Sequence, residues 1–296
     1  MKPKTISIIG GTGSLGSKFA RAFKSKGYRV LVSSRRTILT NIRAAEQGDV
    51  VIVCVPIRTT EKIIKEISPH LKKGAMLSDF TSVKVKPSQW MLKYTSQRKD
   101  IELIPCHPLF NPSVDFKGQN FAMCPVRGNR YTSWYKSFIK SLGLNVITIS
   151  PDEHDKTMAV VQCLNHLSNL SFGYTLKKAN FKPEKAKEFS TSAYRLRLYP
   201  IGRLFYQDAE MYADIETENP YSRKIAKIHL KALKEIYKTI ARKDKKRFEE
   251  IFNETKSFFG DLTEKSQGIS NEMIKCLVEI ENKYNKKGKK KNAKRR

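Results

Sequence analysis

The chain has 296 residues, of which 40% are hydrophobic, so it is long and apolar enough for two domains and is not a disordered chain. No apolar stretch approaches the roughly 20 residues that a membrane span needs. The first residues run straight into a predicted strand, so we do not expect a signal peptide there. Five cysteines without CxxC spacing predict buried apolar side chains rather than disulfides or a metal site. We therefore predict a cytoplasmic protein without a bound metal.

The net charge of +29 raises the question of nucleic-acid binding, which depends on Lys and Arg contacts to phosphates. Residues 283–296 hold nine Lys or Arg and no acid, but these are a minor part of the 57 basic residues in the chain. A Lys-rich proteome also produces an excess spread along the whole chain, and we interpret the charge in that way. Such a surface still attracts anionic ligands.

The first half of the chain alternates short apolar runs with amphipathic segments, which is the pattern of a parallel sheet with helical crossovers. The run at 49–55 (DVVIVCV) is nearly continuous in apolar residues, as a central strand buried on both faces requires. The predicted strands are 5–10, 29–33, 49–55, 75–79, 101–104, 120–124 and 144–149, in one sheet. The predicted helices between them are 14–26, 59–71 and 131–142.

From Pro151 onward, helical periodicity replaces the β-branched runs. The predicted helices are 152–174, 195–217, 222–242, 246–259 and 262–283, and Asp152 is the expected N-cap of the first. We therefore predict an α/β domain at 1–150 and an all-α domain at 151–284 that binds substrate and forms a dimer. The basic tail at 285–296 has too little apolar surface to fold and is expected to be disordered.

A glycine-rich motif, Gly11-Thr12-Gly13-Ser14-Leu15-Gly16, follows the first predicted strand and opens the first predicted helix. In a G-x-G-x-x-G motif the first glycine permits a tight turn, the second lets a pyrophosphate approach the backbone, and the third lets helix pack on strand. The helix N-terminus offers free N–H groups to the phosphates. The motif predicts a Rossmann-type domain that binds a dinucleotide through these six residues.

The end of the second predicted strand indicates which dinucleotide is bound. A carboxylate usually holds the ribose hydroxyls of NAD at this place, but the chain reads Ser33-Ser34-Arg35-Arg36. Hydroxyl and guanidinium groups suit a 2′-phosphate, so Ser34, Arg35 and Arg36 favour NADP over NAD. The alternative is that both arginines are solvated surface charges. Val55 and Pro56 follow the central strand and are expected to contact the same cofactor.

Four further segments resemble the prephenate dehydrogenase family and follow the family's order along the chain. They are Asp79–Lys84 (DFTSVK), Cys106–Pro112 (CHPLFNP), Glu153–Leu167 and Tyr194–Phe205. The resemblance implies an NAD(P)-dependent oxidoreductase of tyrosine biosynthesis that converts prephenate to 4-hydroxyphenylpyruvate and CO2. It also implies a homodimer with an active site in an interdomain cleft. One alternative is an arogenate dehydrogenase with the same chemistry; another is an NADP-sensing protein that binds nucleic acid through its tail.

The resemblance also implies roles for individual residues. His107 matches the family's catalytic histidine, which accepts a hydrogen bond from the ring hydroxyl of the substrate, work that suits an imidazole at neutral pH. Ser82 matches the serine that bridges this hydroxyl and the nicotinamide, with helix capping as its alternative. We interpret Lys84 as a solvated charge. His154 and Asp155 lie in a segment that resembles the family, and a helix cap explains them equally well.

Two arginines are candidates for binding the carboxylates of the substrate. Arg203 matches the family's carboxylate-binding arginine, and Arg195 lies about two helical turns earlier, with a structural ion pair as its alternative. His166 lies on an otherwise apolar helix, either as a core histidine or, by resemblance, near the substrate side chain or a tyrosine effector. Gln162 lies one turn before His166 and is expected on the same face.

Overall fold

The structure, a computed structural model, describes residues 2–293, with side chains described as far as Tyr284. The chain forms two compact units. The first extends to Cys163 and also includes Glu210–Arg223, and the second comprises Leu164–Ala209 and the chain from Lys224 onward. Two short parts of the predicted helical region therefore belong to the same unit as the α/β region.

A five-stranded parallel sheet forms the centre of the first unit, with the strand order β2-β1-β3-β4-β5. Its strands are β1 (Thr5–Ile9), β2 (Arg29–Ser33), β3 (Val50–Val53), β4 (Met76–Asp79) and β5 (Glu102–Leu103). The helices that connect them are α1 (Ser14–Ser25), α2 (Asn41–Gln47), α3 (Ile57–Ile67), a short 3-10 turn (Ser68–His70) and α4 (Val85–Tyr94). The predicted Rossmann-type architecture is confirmed.

A second, smaller sheet follows, and here the prediction of one continuous sheet is wrong. Its strands β6 (Cys106–Pro108), β7 (Asn120–Met123) and β8 (Asn145–Thr148) pair only with one another, β6 antiparallel to β7 and β7 parallel to β8. Ile104 is the last residue to donate to β4, at 3.0 Å from the Leu77 oxygen. Pro105 comes next, and without an N–H group it cannot extend that pairing.

Apolar side chains bury both faces of the five-stranded sheet, as its strand sequences predict. On one face, Ile6 and Ile8 share a core with the second sheet and with α5 (Thr132–Ser141). In that core the rings of Phe23 and Phe138 stack with centroids 4.1 Å apart. On the other face, Val51 packs with residues of α3. The second sheet is thereby held to the first through shared apolar packing.

The C-terminal part of the first unit begins with α6 (Pro151–Met158) and continues as a π-helix (Ala159–Leu164). Asp152 is not the N-cap of α6, because the Ser150 hydroxyl accepts the hydrogen bond from the Glu153 N–H instead. Pro151 at the first helical position leaves Ser150 as the residue before the helix, where a cap belongs. Cys163 packs with Ile57, Val83 and Ile215.

The second unit is built from helices, which confirms the all-α prediction for this region. They are α7 (Asn165–Lys178), α8 (Pro183–Glu188), α9 (Ser192–Phe205), α11 (Ser222–Ala241), α12 (Lys245–Phe259) and α13 (Leu262–Ala293). The predicted helix 195–217 is two helices, because α9 ends at Phe205 and α10 (Ala209–Glu218) begins after a turn. None of the helices in the described part of the chain is long and apolar enough to cross a membrane.

The structure differs from two predictions for the C-terminal region. The predicted disordered tail overlaps α13, which runs to Ala293, and residues 294–296 lie outside the described residues. Cys276 is exposed and Cys54 is half-buried, whereas we predicted that all cysteines are buried. Cys276 lies on α13, where most of the described side chains are exposed.

A buried ion pair connects three elements of the first unit. Lys84 is fully buried, and its Nζ lies 2.5 Å from Oδ2 of Asp79 at the end of β4. The same Nζ donates to the carbonyl oxygen of Cys106 on β6, at 2.7 Å. The interpretation of Lys84 as a solvated charge is therefore wrong. A buried ammonium is stable only with partners of this kind, and Asp79 and Cys106 provide them.

Replacing Lys84 with methionine is expected to lower the free energy of unfolding of the first unit by about 3–5 kcal/mol, because Asp79 then remains as a buried, unpaired charge. Both tryptophans, Trp90 and Trp134, lie in this unit, so their fluorescence during chemical denaturation measures its unfolding. The matched control is Lys86→Met, which removes a half-exposed ion pair with Glu218 and is expected to change stability by at most about 1 kcal/mol. Equal losses in both variants would show that burial of the Lys84 pair is energetically unimportant.

Candidate active site

The glycine loop between β1 and α1 is shaped by close backbone contacts. Gly10 has φ +80°, and a Cβ there would lie 2.1 Å from the carbonyl oxygen of Cys54, so only glycine fits. A Cβ on Gly16 would lie 2.7 Å from the Gly10 oxygen. A Cβ on Gly13 would meet a single atom within 4 Å, that same oxygen at 3.3 Å. Protein packing thus requires Gly10 and Gly16, while the space beside Gly13 is open to a ligand.

The start of α1 can receive an anion. Thr12, Gly13 and Ser14 are exposed, no side chain caps the helix, and its first turn contains no acidic residue. Leu15 instead packs against the core. Exposed N–H groups at an uncapped helix N-terminus, with the positive end of the helix dipole, form an anion-binding site. The loop therefore fits the pyrophosphate of a dinucleotide.

The segment after β2 lies beside the glycine loop, because the N–H groups of Gly10 and Gly11 both donate to the Ser33 oxygen. The Ser34 hydroxyl accepts a hydrogen bond from the Arg36 N–H at 3.1 Å, which leaves its own proton to donate. Arg35 and Arg36 are exposed. This exposed, basic turn adjoins the loop that would hold the pyrophosphate.

Val55 also borders the glycine loop, since its Cγ1 would lie 2.9 Å from a Cβ on Gly10. Pro56 follows it at the N-cap position of α3. The structure thus brings together three groups of residues that are far apart in sequence: the glycine loop, the turn after β2 and the end of β3. All lie at the carboxyl ends of adjacent parallel strands, where α/β sheets bind ligands.

His107 lies on β6 and is 5% exposed. Its Nδ1 is 3.0 Å from Nε2 of His154, which is itself buried on α6. Nδ1 of His154 is in turn 2.8 Å from Oδ1 of Asp155. Two imidazoles and a carboxylate therefore form a continuous hydrogen-bonded chain that ends on the candidate catalytic histidine.

Burial controls the charge of these imidazoles. It lowers the pKa of His107 well below its usual range, and the neighbouring His154 and Lys84 lower it further. Burial also lowers the pKa of His154, although the hydrogen bond to Asp155 opposes this effect. Both imidazoles are therefore neutral near pH 7, so the lone pair of one ring nitrogen in each can accept a hydrogen bond.

The carboxylate of Asp155 has a second set of partners at the start of α4. Its two oxygens accept hydrogen bonds from the N–H groups of Lys84 and Val85, at 2.7 and 2.9 Å. Asp155 thus caps α4, a helix distant in sequence, and not the helix on which it lies. Ser82 does not cap α4 and lies half-buried in the loop after β4.

Arg195 and Arg203, two of the other predicted substrate residues, belong to the second unit. Arg195 pairs with Glu281 at 3.1 Å and also donates to Ser190 and Ser192, so its guanidinium is engaged in a structural network. Arg203 is exposed on α9 and lines an apolar groove of about 520 Å³ in the second unit.

Gln162 and His166 fall in different units. Gln162 lies on the π-helix in the first, and no partner for its buried amide oxygen is found among the described side chains. His166 lies on α7 in the second. Their spacing predicted a shared α-helical face, but the π-helix changes the periodicity between them.

Sequence reasoning missed the supporting residues of the site: Asp79, Lys84, His154 and Asp155. All four lie in the segments that resemble the family, and this was the available signal. Their burial was not expected, because Lys and Asp side chains are usually exposed unless they are paired. The pairing partners lie up to 71 residues away in sequence, as between Lys84 and Asp155.

Two family models together match most of the chain. The nucleotide-binding domain of prephenate dehydrogenase matches residues 24–148, and the dimerization domain of prephenate dehydrogenase matches residues 150–254.

Among curated relatives, the probable arogenate/prephenate dehydrogenase of Methanocaldococcus jannaschii is 36% identical, over 95% of this chain and 67% of that protein. The T-protein of Haemophilus influenzae is 30% identical, over 91% of this chain and 71% of that protein.

Solved structures share the fold at lower sequence identity. Prephenate dehydrogenase from A. aeolicus, in complex with hydroxyphenyl propionate and NAD+, has a TM-score of 0.69 at 19% identity, covering 86% of this chain and 96% of its own. Synechocystis arogenate dehydrogenase has a TM-score of 0.66 at 16% identity, covering 85% and 97%. From the matching domains and relatives, we conclude that the chain belongs to the prephenate dehydrogenase family and is an oxidoreductase of the prephenate/arogenate dehydrogenase type.

Proposed function

We propose that this protein catalyses the oxidative decarboxylation of prephenate to 4-hydroxyphenylpyruvate, with NADP+ as the preferred hydride acceptor. The observation that carries the proposal is His107, a buried, neutral imidazole whose Nδ1 is hydrogen-bonded to His154. A neutral ring held in this way can accept a hydrogen bond from the ring hydroxyl of the substrate and stabilise positive charge that develops there.

Ser82 is the second residue proposed to contact the reacting groups. It lies in the loop directly after β4, at the carboxyl edge of the sheet. Because Asp155 caps α4, the Ser82 hydroxyl is not needed as a helix cap. We assign it to the bridge between the substrate hydroxyl and the nicotinamide.

Arg203 is proposed to bind a carboxylate of the substrate. Its exposed guanidinium borders a groove that Ile201, Phe205 and Tyr206 make largely apolar. An apolar surface with one fixed cation suits a ring that carries carboxylates. Arg195 is not assigned this role, because Glu281 already pairs with it. Gln162 and His166 remain proposed contacts of the substrate side chain.

The cofactor is proposed to lie with its pyrophosphate at residues 11–16 and its 2′-phosphate at Ser34, Arg35 and Arg36, with Val55 and Pro56 alongside. The open space beside Gly13 and the uncapped start of α1 support the first contact. The absence of a carboxylate from residues 33–36 supports NADP over NAD. When the cofactor is bound, its nicotinamide ring accepts the hydride.

Arogenate is the second candidate substrate, because the relative from M. jannaschii is named as a probable arogenate/prephenate dehydrogenase. The two substrates differ only where one has an α-amino group and the other a keto group. The ring chemistry at His107 is the same for both.

We further propose that the protein is a cytoplasmic homodimer. The dimerization domain of the family matches residues 150–254. Several large apolar side chains in this region of the second unit are exposed, such as Leu233, Tyr237, Ile240 and Phe252. Exposed apolar residues in such number indicate a surface that is covered in the assembly.

The purified protein is expected to reduce NADP+ faster than NAD+ with prephenate, measured as the absorbance of the reduced cofactor, with arogenate tested in parallel. His107→Asn is expected to lower kcat by at least about 100-fold with little change in cofactor affinity, because a positioned acid–base group contributes about 10²–10⁴-fold. The control is His70→Asn, an exposed histidine outside the site, which should keep full activity. Near-normal turnover by the His107 variant would contradict its catalytic role.

Replacing both Arg35 and Arg36 with alanine is expected to raise the KM for NADP+ by about 10-fold or more while the KM for NAD+ changes little, since hydrogen bonds to charged groups contribute about 1.5–3 kcal/mol. The matched control removes two exposed charges from α1, through Arg21→Ala and Lys24→Ala. If the KM values for both cofactors rise equally, neither arginine contacts a 2′-phosphate.

Light scattering at micromolar concentration is expected to give twice the mass of one chain, because the exposed apolar side chains of the second unit need a partner surface. A mass of one chain at these concentrations would contradict the proposed homodimer. Activity of such a monomer would leave the proposed reaction intact.

A further inference from the structure

We propose that His154 and Asp155 are positioning residues that hold His107 in a single tautomer, with the proton on Nδ1 and the lone pair on Nε2. This inference rests on the proposed function, because Nε2 is then the atom that receives the substrate hydroxyl. It assigns a role to two residues for which the sequence alone left a helix cap as an equally good explanation. Neither residue is proposed to touch substrate.

The tautomer follows from counting protons along the hydrogen-bonded chain. An ionised carboxylate can only accept, so the 2.8 Å contact between Asp155 and His154 requires a proton on Nδ1 of His154. A neutral imidazole carries one proton, so Nε2 of His154 must accept. The 3.0 Å contact between the two rings then requires a proton on Nδ1 of His107. Nε2 of His107 is left with a lone pair.

This assignment of protons requires that the Asp155 carboxylate accepts the hydrogen bond from His154, and the surroundings of Asp155 favour this. Both of its oxygens accept backbone N–H groups, from Lys84 and from Val85. These groups open α4, whose N-terminus carries the positive end of the helix dipole. Two backbone N–H donors therefore converge on the two oxygens of this carboxylate, and both favour its ionised form. The opposite direction of the hydrogen bonds would need a protonated Asp155.

The charges around His107 also fit this role. Lys84 and His154 are the charged or titratable groups that lower the pKa of His107, and Asp79 neutralises Lys84 through a direct ion pair. Asp155 is then the carboxylate in this cluster without a cation of its own. As positive charge develops on the substrate hydroxyl and is shared with His107, the chain through His154 connects it to the Asp155 anion.

The carbonyl of Cys106 fixes the backbone beside His107. It accepts from Nζ of Lys84 at 2.7 Å, while Cys106 pairs with Met123 in the second sheet. The His107 backbone is thus held by the sheet and its ring by His154. Rotation of the ring would break the contact to His154, so Asp155 and His154 determine both the tautomer and the orientation of His107.

Nitrogen NMR of the whole protein, labelled with 15N only in histidine, tests the tautomer directly. The chain has five histidines, so the signals of His107 and His154 can be assigned from His107→Asn and His154→Phe. At pH 7 we expect Nδ1 protonated and Nε2 unprotonated in both rings. A protonated Nε2 on His107 in the unaltered protein would overturn the proposal.

Asp155→Asn is the decisive variant. The amide has one acceptor oxygen and one NH2 group in place of two acceptor oxygens, so Nδ1 of His154 can either donate to it or accept from it. We expect the NMR signals to show that His107 no longer has a single tautomer, and kcat to fall by about 100-fold or more with KM nearly unchanged, by analogy with the carboxylate that orients the histidine of a serine-protease triad. The control is Asp152→Asn, which makes the same charge change at an exposed position on α6 and should alter neither readout.

Asp155 also caps α4, so its variant can lose stability for a separate reason. His154→Phe keeps that cap and removes only the middle of the chain. We expect this variant to bind NADP+ normally, to show a mixture of both His107 tautomers and to lose turnover. Full turnover with a mixed tautomer would overturn the positioning role. If the unaltered protein turns over neither prephenate nor arogenate, the proposed function fails, while NMR still decides the tautomer.

Discussion

The buried ammonium of Lys84 is the constraint on which the arrangement of the first unit depends. A buried charge needs fixed partners, and the ammonium group of Lys84 donates to Asp79 on β4 and to the carbonyl of Cys106 on β6. The backbone N–H of Lys84, at the start of α4, donates to Asp155 on α6. Four separate elements therefore meet at one residue. Apolar packing between the two sheets could tolerate small shifts, but these directional contacts cannot. The position of His107 is fixed because it directly follows Cys106, whose carbonyl oxygen is held by Lys84.

The residues that support His107 and the residues proposed to bind the cofactor differ in their exposure. Asp79, Lys84, His154 and Asp155 are almost fully buried, and we infer that they orient His107 without meeting the ligand. Among the residues proposed to bind the cofactor phosphates, Thr12, Gly13 and Ser14 at the start of α1 and Arg35 and Arg36 after β2 are exposed. A charged ligand can therefore enter without disturbing the buried network, and the strongly positive surface favours its approach.

Several features of the fold were readable because they depend on short-range patterns. The alternation of strands and helices, the glycine motif and the change to helical periodicity near residue 151 can each be recognised from neighbouring residues alone. The second sheet was missed because its strands look like those of the first, and strand pairing is decided by which edges meet. The break between α9 and α10 was missed because the apolar pattern continues across it.

The sequence by itself determined the fold class, the family and the positions of the candidate residues, because local periodicity and ordered motifs carry that information. Only the tertiary structure decided which charged residues are buried and which partner each one takes. Lys84 appeared to be an ordinary surface lysine, and Asp155 an ordinary cap for its own helix. The physical reason is that burial and pairing depend on segments distant in sequence, such as Asp155 and Lys84, which folding alone brings within hydrogen-bond distance.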